Sequence, residues 1–128
     1  MRIIHVMDHS LPRSDGYSIR AKYLLEAQAA AGHEVTVLTS PSQGDAEGMQ
    51  VDGVTYRRSA YSPWEAPLVA KGAKHLVFRR VIARVLAPLV AQQHFDLIHA
   101  HTPVTVARVA LAQARKSRLP FEIGRAHV

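Results

Sequence analysis

The sequence predicts an α/β fold with a doubly wound, mostly parallel sheet. Three observations lead there: β-branched runs alternate with helical periodicity, the first forty residues spell strand, helix, strand, and 48% of the 128 residues are apolar. A strand, helix, strand unit needs a right-handed parallel crossover, and the apolar content suffices to bury one core.

The elements follow in chain order. Arg2 to Met7 is a short β-branched run that stops at the polar, proline-containing stretch Asp8 to Gly16, which reads as a buried strand followed by a loop. From Ser18 the pattern turns helical, with Ile19, Tyr23, Leu24, Ala27 and Ala31 as the expected apolar stripe and Gly32 as the stop. Glu34 to Thr39 is a second strand. Ser40 to Val51, rich in Ser, Gly, Asp and Gln, is expected to be a surface loop before a short strand at Val54 to Arg57. After a loop marked by Pro63 and Pro67, Val69 to Gln93 carries Leu76, Val77, Val81, Val85, Leu86 and Val90 in helical register, with a break or kink expected near Pro88. Phe95 to Ala100 is the next strand, Val104 to Ser117 the next helix, and Leu119-Pro120-Phe121 the start of a further strand.

Glu122 to Val128 reads as a translated sequencing adapter, so the domain is taken as residues 1–121 and the last seven are set apart. The net charge stays +6 without them, because they carry one acid, Glu122, and one base, Arg125. The sheet is then expected to be incomplete, with an exposed edge and marginal stability.

Composition excludes whole classes. Charged residues at 20% with 7 Gly and 7 Pro rule out collagenous, low-complexity and coiled-coil chains. Zero cysteines remove disulfide frameworks, thiolate metal sites and cysteine nucleophiles, and fit a reducing cytoplasm. Ile3 to Met7 is too short for a signal-peptide core or a membrane span, so a cytoplasmic chain is expected. Sixteen Lys and Arg against ten Asp and Glu suit an anionic partner. With 6% aromatics and no helix-turn-helix or RNA-binding signature, nucleic acid is not the expected one.

In a doubly wound sheet the ligand crevice lies outside the carboxyl ends of the strands, at the switch point. Two unusual polar segments close strands there: Asp8-His9-Ser10 through Ser14-Asp15-Gly16-Tyr17 after the first strand, and His99-Ala100-His101-Thr102 after the fourth. Gly16, just before a helix, would let the backbone approach a phosphate held by free amides at the helix N-terminus, or it is an ordinary turn glycine. Neither GxGxxG nor GxxxxGK[ST] occurs. His99 and His101 share a strand face, which suits a metal pair, a substrate-orienting histidine, or ordinary packing; no third metal ligand is evident. His5 and His33 read as structural, His75 and His94 as solvated helix surface. Lys71, Lys74, Arg79, Arg80 and Arg84 line one side of the long amphipathic helix, either as a solvated face or against anionic lipid headgroups.

Four segments resemble the N-terminal domain of a family 4 glycosyltransferase of the GT-B fold, most closely the exosortase-associated (PEP-CTERM) subgroup. They are Arg2-Ile3-Ile4-His5-Val6-Met7-Asp8-His9-Ser10-Leu11-Pro12, Gly16-Tyr17-Ser18-Ile19-Arg20, Ala31-Gly32-His33-Glu34-Val35-Thr36-Val37-Leu38-Thr39-Ser40-Pro41, and Phe95-Asp96-Leu97-Ile98-His99-Ala100-His101-Thr102-Pro103. The resemblance implies a truncated, Rossmann-like N-terminal half of such an enzyme. It implies retaining transfer of a sugar from a nucleotide-sugar donor to a glycan or lipid-linked acceptor in polysaccharide biosynthesis, with no cofactor and no obligatory metal. Gly16 and Tyr17 would approach the donor diphosphate, and His101 would assist at the reacting centre electrostatically or by hydrogen bonding. His9, Ser10, Arg20 and Thr102 would line the acceptor side of the crevice. Many members carry two adjacent glycines in the first loop, where Asp15 precedes Gly16 here. The basic helix would sit near a lipid acceptor or the inner membrane face. The donor would be held mostly by a C-terminal domain outside these 128 residues, leaving the fragment itself inactive. The competing reading is a non-catalytic α/β module that binds a phosphorylated ligand or an anionic membrane surface.

Overall fold

A computed structural model describes residues 1–8, 16–41, 49–101 and 104–124, with only the backbone of Tyr17, His75 and Val104. The chain runs β1 (Arg2–Met7), α1 (Gly16–Ala30), β2 (Glu34–Thr39), β3 (Met49–Val51), β4 (Val54–Arg58), α2 (Glu65–Ala70), α3 (Lys74–Gln92), β5 (Leu97–His101), α4 (Val104–Ser117) and β6 (Phe121–Gly124). The six strands form one sheet in the order β3-β4-β2-β1-β5-β6. All pairings are parallel except that of β3 with β4. The chain therefore steps outward from β1 through β2 to β4, then returns to the other side of β1 for β5 and β6. This reversal is the switch point of a doubly wound sheet.

Alternation along the strands sorts the apolar side chains to two faces. Ile4, Val6, Leu38, Ile98 and Ala100 meet Phe78, Ile82, Leu86 and Leu89 of α3 and Val106, Val109, Ala110 and Ala114 of α4. Met7, Val35, Val37, Val54 and Tyr56 meet Ala21 and Leu25 of α1 on the opposite face. Both faces of the central strands are covered, which is why β1 reads as a near-continuous apolar run. Register between β1 and β5 is pinned at their N-terminal ends: Arg2 N–H donates to Asp96 Oδ2 at 2.8 Å, and Asp96 N–H donates to Arg2 O at 2.7 Å.

Several boundaries differ from the sequence-based expectations. The helix expected from Val69 begins only at Lys74 as α3, and the loop expected around Pro67 is instead the short helix α2; residues 71–73 separate the two, with Gly72 at φ +94°, while Pro88 lies inside α3. The break falls where the backbone needs a left-handed residue, and the proline is tolerated on the exposed side. Leu76, expected in the core, is 72% exposed, and the buried stripe of α3 instead includes Phe78, Ile82 and Leu89. On α1 the stripe is rotated: Ile19, Tyr23, Leu24, Ala27 and Ala31 are exposed, and Ser18, Ala21 and Leu25 face the sheet. Small residues permit the helix to pack closely on the sheet, so size outweighs hydrophobicity there. Met49–Val51, assigned to a loop, pairs antiparallel with β4 through a turn at Asp52 (φ 52°) and Gly53 (φ 80°), the two positive values a tight hairpin requires. β6 starts only at Phe121, the last residue of the expected further strand, and continues through Glu122, Ile123 and Gly124 of the segment set apart above, which pair with His99, Ala100 and His101.

One buried charge ties α2 to α3. The Glu65 side chain is fully buried, and its carboxylate accepts from Arg84 Nη1 and from Ser62 N–H, at 2.9 and 2.8 Å. Arg84 also donates to the Ala60 carbonyl at 3.1 Å. The guanidinium beside it holds the Glu65 carboxyl well below its usual range, at about 2. Arg84→Ala leaves this carboxylate buried without its counter-ion and is expected to cost about 2 kcal/mol in urea unfolding. The paired change Glu65→Gln with Arg84→Met should recover part of that loss; an Arg84→Ala protein of unchanged stability would show that the pair does not hold α2 in place.

Candidate active site at the switch point

The switch point places β5 beside β1 with His5 directly opposite His99. His101, two residues farther along β5, falls on the same sheet face. Three imidazoles are thereby gathered in the sheet, all buried. Their ring centroids lie 4.8 Å apart for His5 and His99, 4.7 Å for His99 and His101, and 5.2 Å for His5 and His101. His5 Nδ1 is 3.0 Å from His101 Nε2, and the other nitrogen of His5 lies 2.7 Å from Oε1 of Gln28, which α1 carries across this face. The His99 ring stacks on those of His5 and His101, and among the described residues neither of its ring nitrogens is hydrogen-bonded; the Glu122 carboxylate is 4.0 Å from its Nδ1. Gly124 packs against that ring so closely that a Cβ there would collide with His99 Nε2.

Burial is the first cause of the electrostatics. It pushes the His5 ring down to about 4 and the His101 ring down to about 3, and each imidazole in the group further opposes charge on another. Burial likewise lowers His99. At neutral pH all three rings are uncharged, so the cluster can donate and accept hydrogen bonds but offers no cation. Their donor atoms lie within 4.8 Å of one another, which invites comparison with a metal centre. The His99 and His101 planes, however, are only 9° from parallel and stacked. Lone pairs in two stacked planes do not converge on one ion, and His5 and His101 are within hydrogen-bond distance of each other.

The carboxyl ends of the neighbouring strands are polar and buried as well. Ser40 donates through Oγ to the Asp8 carbonyl at 2.7 Å and to its carboxylate at 3.2 Å. Ser59 donates through Oγ to the Thr39 carbonyl at 2.6 Å. These bonds hold the ends of β1, β2 and β4 in one frame.

The residues singled out from sequence distribute as follows. Gly16 opens α1 at the carboxyl end of the sheet, exposed and with open space where a Cβ would stand; the Tyr17 backbone follows it, and Arg20 is exposed one turn on. His9, Ser10, Asp15 and Thr102 lie outside the described residues. Lys71 caps α2, Lys74 opens α3, and Arg79 and Arg80 are exposed on α3. Arg84, grouped with them, is the counter-ion of Glu65. His33 binds the terminal amine through Nδ1 at 2.9 Å, and His94 pairs with Asp96 beyond the end of α3. Sequence reasoning missed the partnership of His5 and Gln28 with His101. The available signal was strand order: once β1 and β5 are neighbours, His5 and the His99/His101 pair must share a face.

A family described as a glycosyl transferase 4-like domain matches residues 15–126. The chain belongs to that family. No curated protein matches it. Solved structures similar to this glycosyl transferase 4-like domain share its Rossmann-like fold at low identity. The glycotransferase of kitacinnamycin superimposes with a TM-score of 0.60 at 16% identity over 97% of this chain and 30% of its own. Os79 from O. sativa, solved with UDP and deoxynivalenol-3-glucoside, gives 0.61 at 16% identity over 94% of this chain and 28% of its own. The C-terminal domain of a hydrogenase from Pyrococcus furiosus gives 0.61 at 15% identity, covering 95% of this chain and 88% of that one. The glycosyl transferase 4-like chain thus spans under a third of either glycosyltransferase it resembles.

Neutral buried histidines make folding sensitive to acid. In the unfolded chain these rings take up protons near 6.5, whereas in the folded one His5 and His101 do so only near 4 and 3. The unfolded state binds more protons throughout that window, so stability present above pH 6.5 is lost progressively as pH falls toward 3. Urea unfolding between pH 7 and 5 should show the decline before most carboxylates titrate; a flat profile would mean the rings are not buried neutral.

Proposed function

We propose that this chain is the acceptor-side N-terminal domain of a retaining glycosyltransferase, moving a sugar from a nucleotide-sugar donor to a lipid-linked glycan acceptor in polysaccharide biosynthesis. The observation that carries this reading is the neutral His101 at the carboxyl end of β5, beside β1, within a family of glycosyl transferase 4-like domains. The opening and closing motifs of the crevice support assignment to the exosortase-associated subgroup.

In this reading the amides of Gly16 and Tyr17 at the start of α1 face the donor diphosphate, where the helix dipole favours negative charge. His9, Ser10, Arg20 and Thr102 line the acceptor side. His101, uncharged in its dry setting, acts on the reacting sugar through a hydrogen bond. A second domain outside these 128 residues holds the nucleotide. In the full-length enzyme His101→Ala is expected to lower kcat about 100-fold with little change in KM, in line with loss of one preorganised hydrogen bond at a reacting centre. Unchanged turnover would remove His101 from the chemistry.

The acceptor's lipid is supported by the surface of α2 and α3. Lys71, Lys74, Arg79 and Arg80 are exposed beside Trp64 and Leu76, which are 54% and 72% exposed, and the Arg80 guanidinium lies 4.9 Å from the Trp64 ring centroid. A groove of about 400 Å³ between α3 and α4 is lined by Leu76, Arg79, Arg80 and Lys116. Apolar and aromatic groups among basic ones suit a headgroup layer, and among the described residues no helix is long and apolar enough to cross a membrane. The protein would then work at the inner membrane face from the cytoplasm. Sedimentation with phosphatidylglycerol vesicles should fall about fivefold for each of Lys71, Lys74, Arg79 and Arg80 changed to Gln, since each basic group near such a surface contributes ~1 kcal/mol. Failure of the unaltered full-length enzyme to bind these vesicles would overturn the membrane assignment.

A further inference from the structure

The contacts around His101 fix more than its position. With Gln28 Oε1, which can only accept, facing His5 Nε2 at 2.7 Å, that nitrogen carries the proton. His5 is uncharged and has one proton to place, which leaves its Nδ1 as a bare lone pair. That lone pair lies 3.0 Å from His101 Nε2, and two bare nitrogens at this distance would repel, so His101 carries its own proton on Nε2. A second proton on His101 is opposed by burial. Its Nδ1 is then also a bare lone pair.

We propose that Gln28 and His5 are positioning residues that lock His101 in the Nε2–H tautomer, so that its Nδ1 accepts a hydrogen bond from a hydroxyl group of the sugar substrate. The chemical use assigned to Nδ1 rests on the glycosyltransferase reading above; the tautomer lock rests on the two contacts alone. The lock selects for ligands that donate at that point. A hydroxyl satisfies it, whereas a carboxylate or phosphate oxygen placed there would meet a lone pair. His99, stacked against both rings, restricts their rotation and keeps the chain of contacts in line.

The competing arrangement has the Gln28 amide turned end for end. Its NH2 then donates to His5 Nε2, His5 donates from Nδ1 to His101 Nε2, and His101 carries its proton on Nδ1, presenting a donor to the substrate instead. The two arrangements differ at every ring nitrogen of the pair.

Long-range proton–nitrogen spectra of the chain labelled with 15N-histidine distinguish them at neutral pH. The expected result is a protonated Nε2 and a bare Nδ1 on both His5 and His101. A protonated Nδ1 on His101 in the unaltered chain would overturn the proposal before any variant is made. Gln28→Glu retains an accepting oxygen and should keep the pattern; Gln28→Met removes it and should leave His101 averaging between tautomers. Gln28 is only partly buried on α1, and the backbone amide spectrum reports directly whether each variant is folded. A folded Gln28→Met protein with an unaltered His101 pattern would show that Gln28 does not set the tautomer. In the full-length enzyme Gln28→Met should lower kcat about tenfold, with Gln28→Glu restoring it. If the tautomer pattern is found but the unaltered enzyme transfers no sugar, the catalytic reading falls and the lock stands.

Discussion

Everything at the candidate site depends on parallel pairing between β1 and β5. The two strands are far apart in sequence, yet their register, clamped by the reciprocal Arg2 and Asp96 hydrogen bonds, sets His5 opposite His99 and brings His101 within reach of His5. A slip of one residue would turn the β5 imidazoles toward α3 and α4 and expose Ile98 and Ala100 to the α1 side. Apolar residues on one face and histidines on the other therefore enforce the same register. Burial keeps the rings neutral, neutrality requires each proton to be placed by hydrogen bonds, and Gln28 on α1 supplies a fixed acceptor at the far end. With Gln28 as the acceptor, the proposed proton pattern follows from the same contacts that set the positions.

Much of this was legible in the residues themselves. β1, β2, β4, β5 and α4 are announced by β-branched runs or by apolar periodicity, and the Asp8 and His101 regions fall at the carboxyl ends where a doubly wound sheet keeps its ligands. The illegible parts have separate physical reasons. The helix break depends on a backbone angle at Gly72, whereas Pro88, the stronger breaker on propensity, lies on an exposed face where one lost hydrogen bond is tolerated. The buried face of α1 is lined by Ser18, Ala21 and Leu25, a stripe that hydrophobicity alone ranks below Ile19, Tyr23 and Leu24. The hairpin carried its signal in Asp52-Gly53, between two very short strands. His5 reads as a core residue from its neighbours, and it is one; only the strand order reveals that its ring faces two more.

Two kinds of buried polarity coexist in a small domain, and they are handled differently. Glu65 is kept ionised by Arg84 and by the Ser62 amide, a charge-assisted arrangement that anchors a helix of only six residues. The histidines are kept uncharged by exclusion of water and by mutual opposition. One arrangement secures position through strong attraction; the other preserves donors and acceptors that remain responsive to what they touch. The second suits a site that must discriminate between hydroxyl and oxyanion groups.

The hairpin of β3 and β4 also makes the sheet asymmetric at its margins. On one side the outermost strand is a three-residue antiparallel ribbon, too short to template further pairing. On the other, β6 runs parallel to β5 and presents Ile123 at 56% exposure. Among the described residues, lateral growth of the sheet, whether by further chain or by a second molecule, has only one edge to use. It would extend from β6, the strand whose Gly124 already lies against the His99 ring.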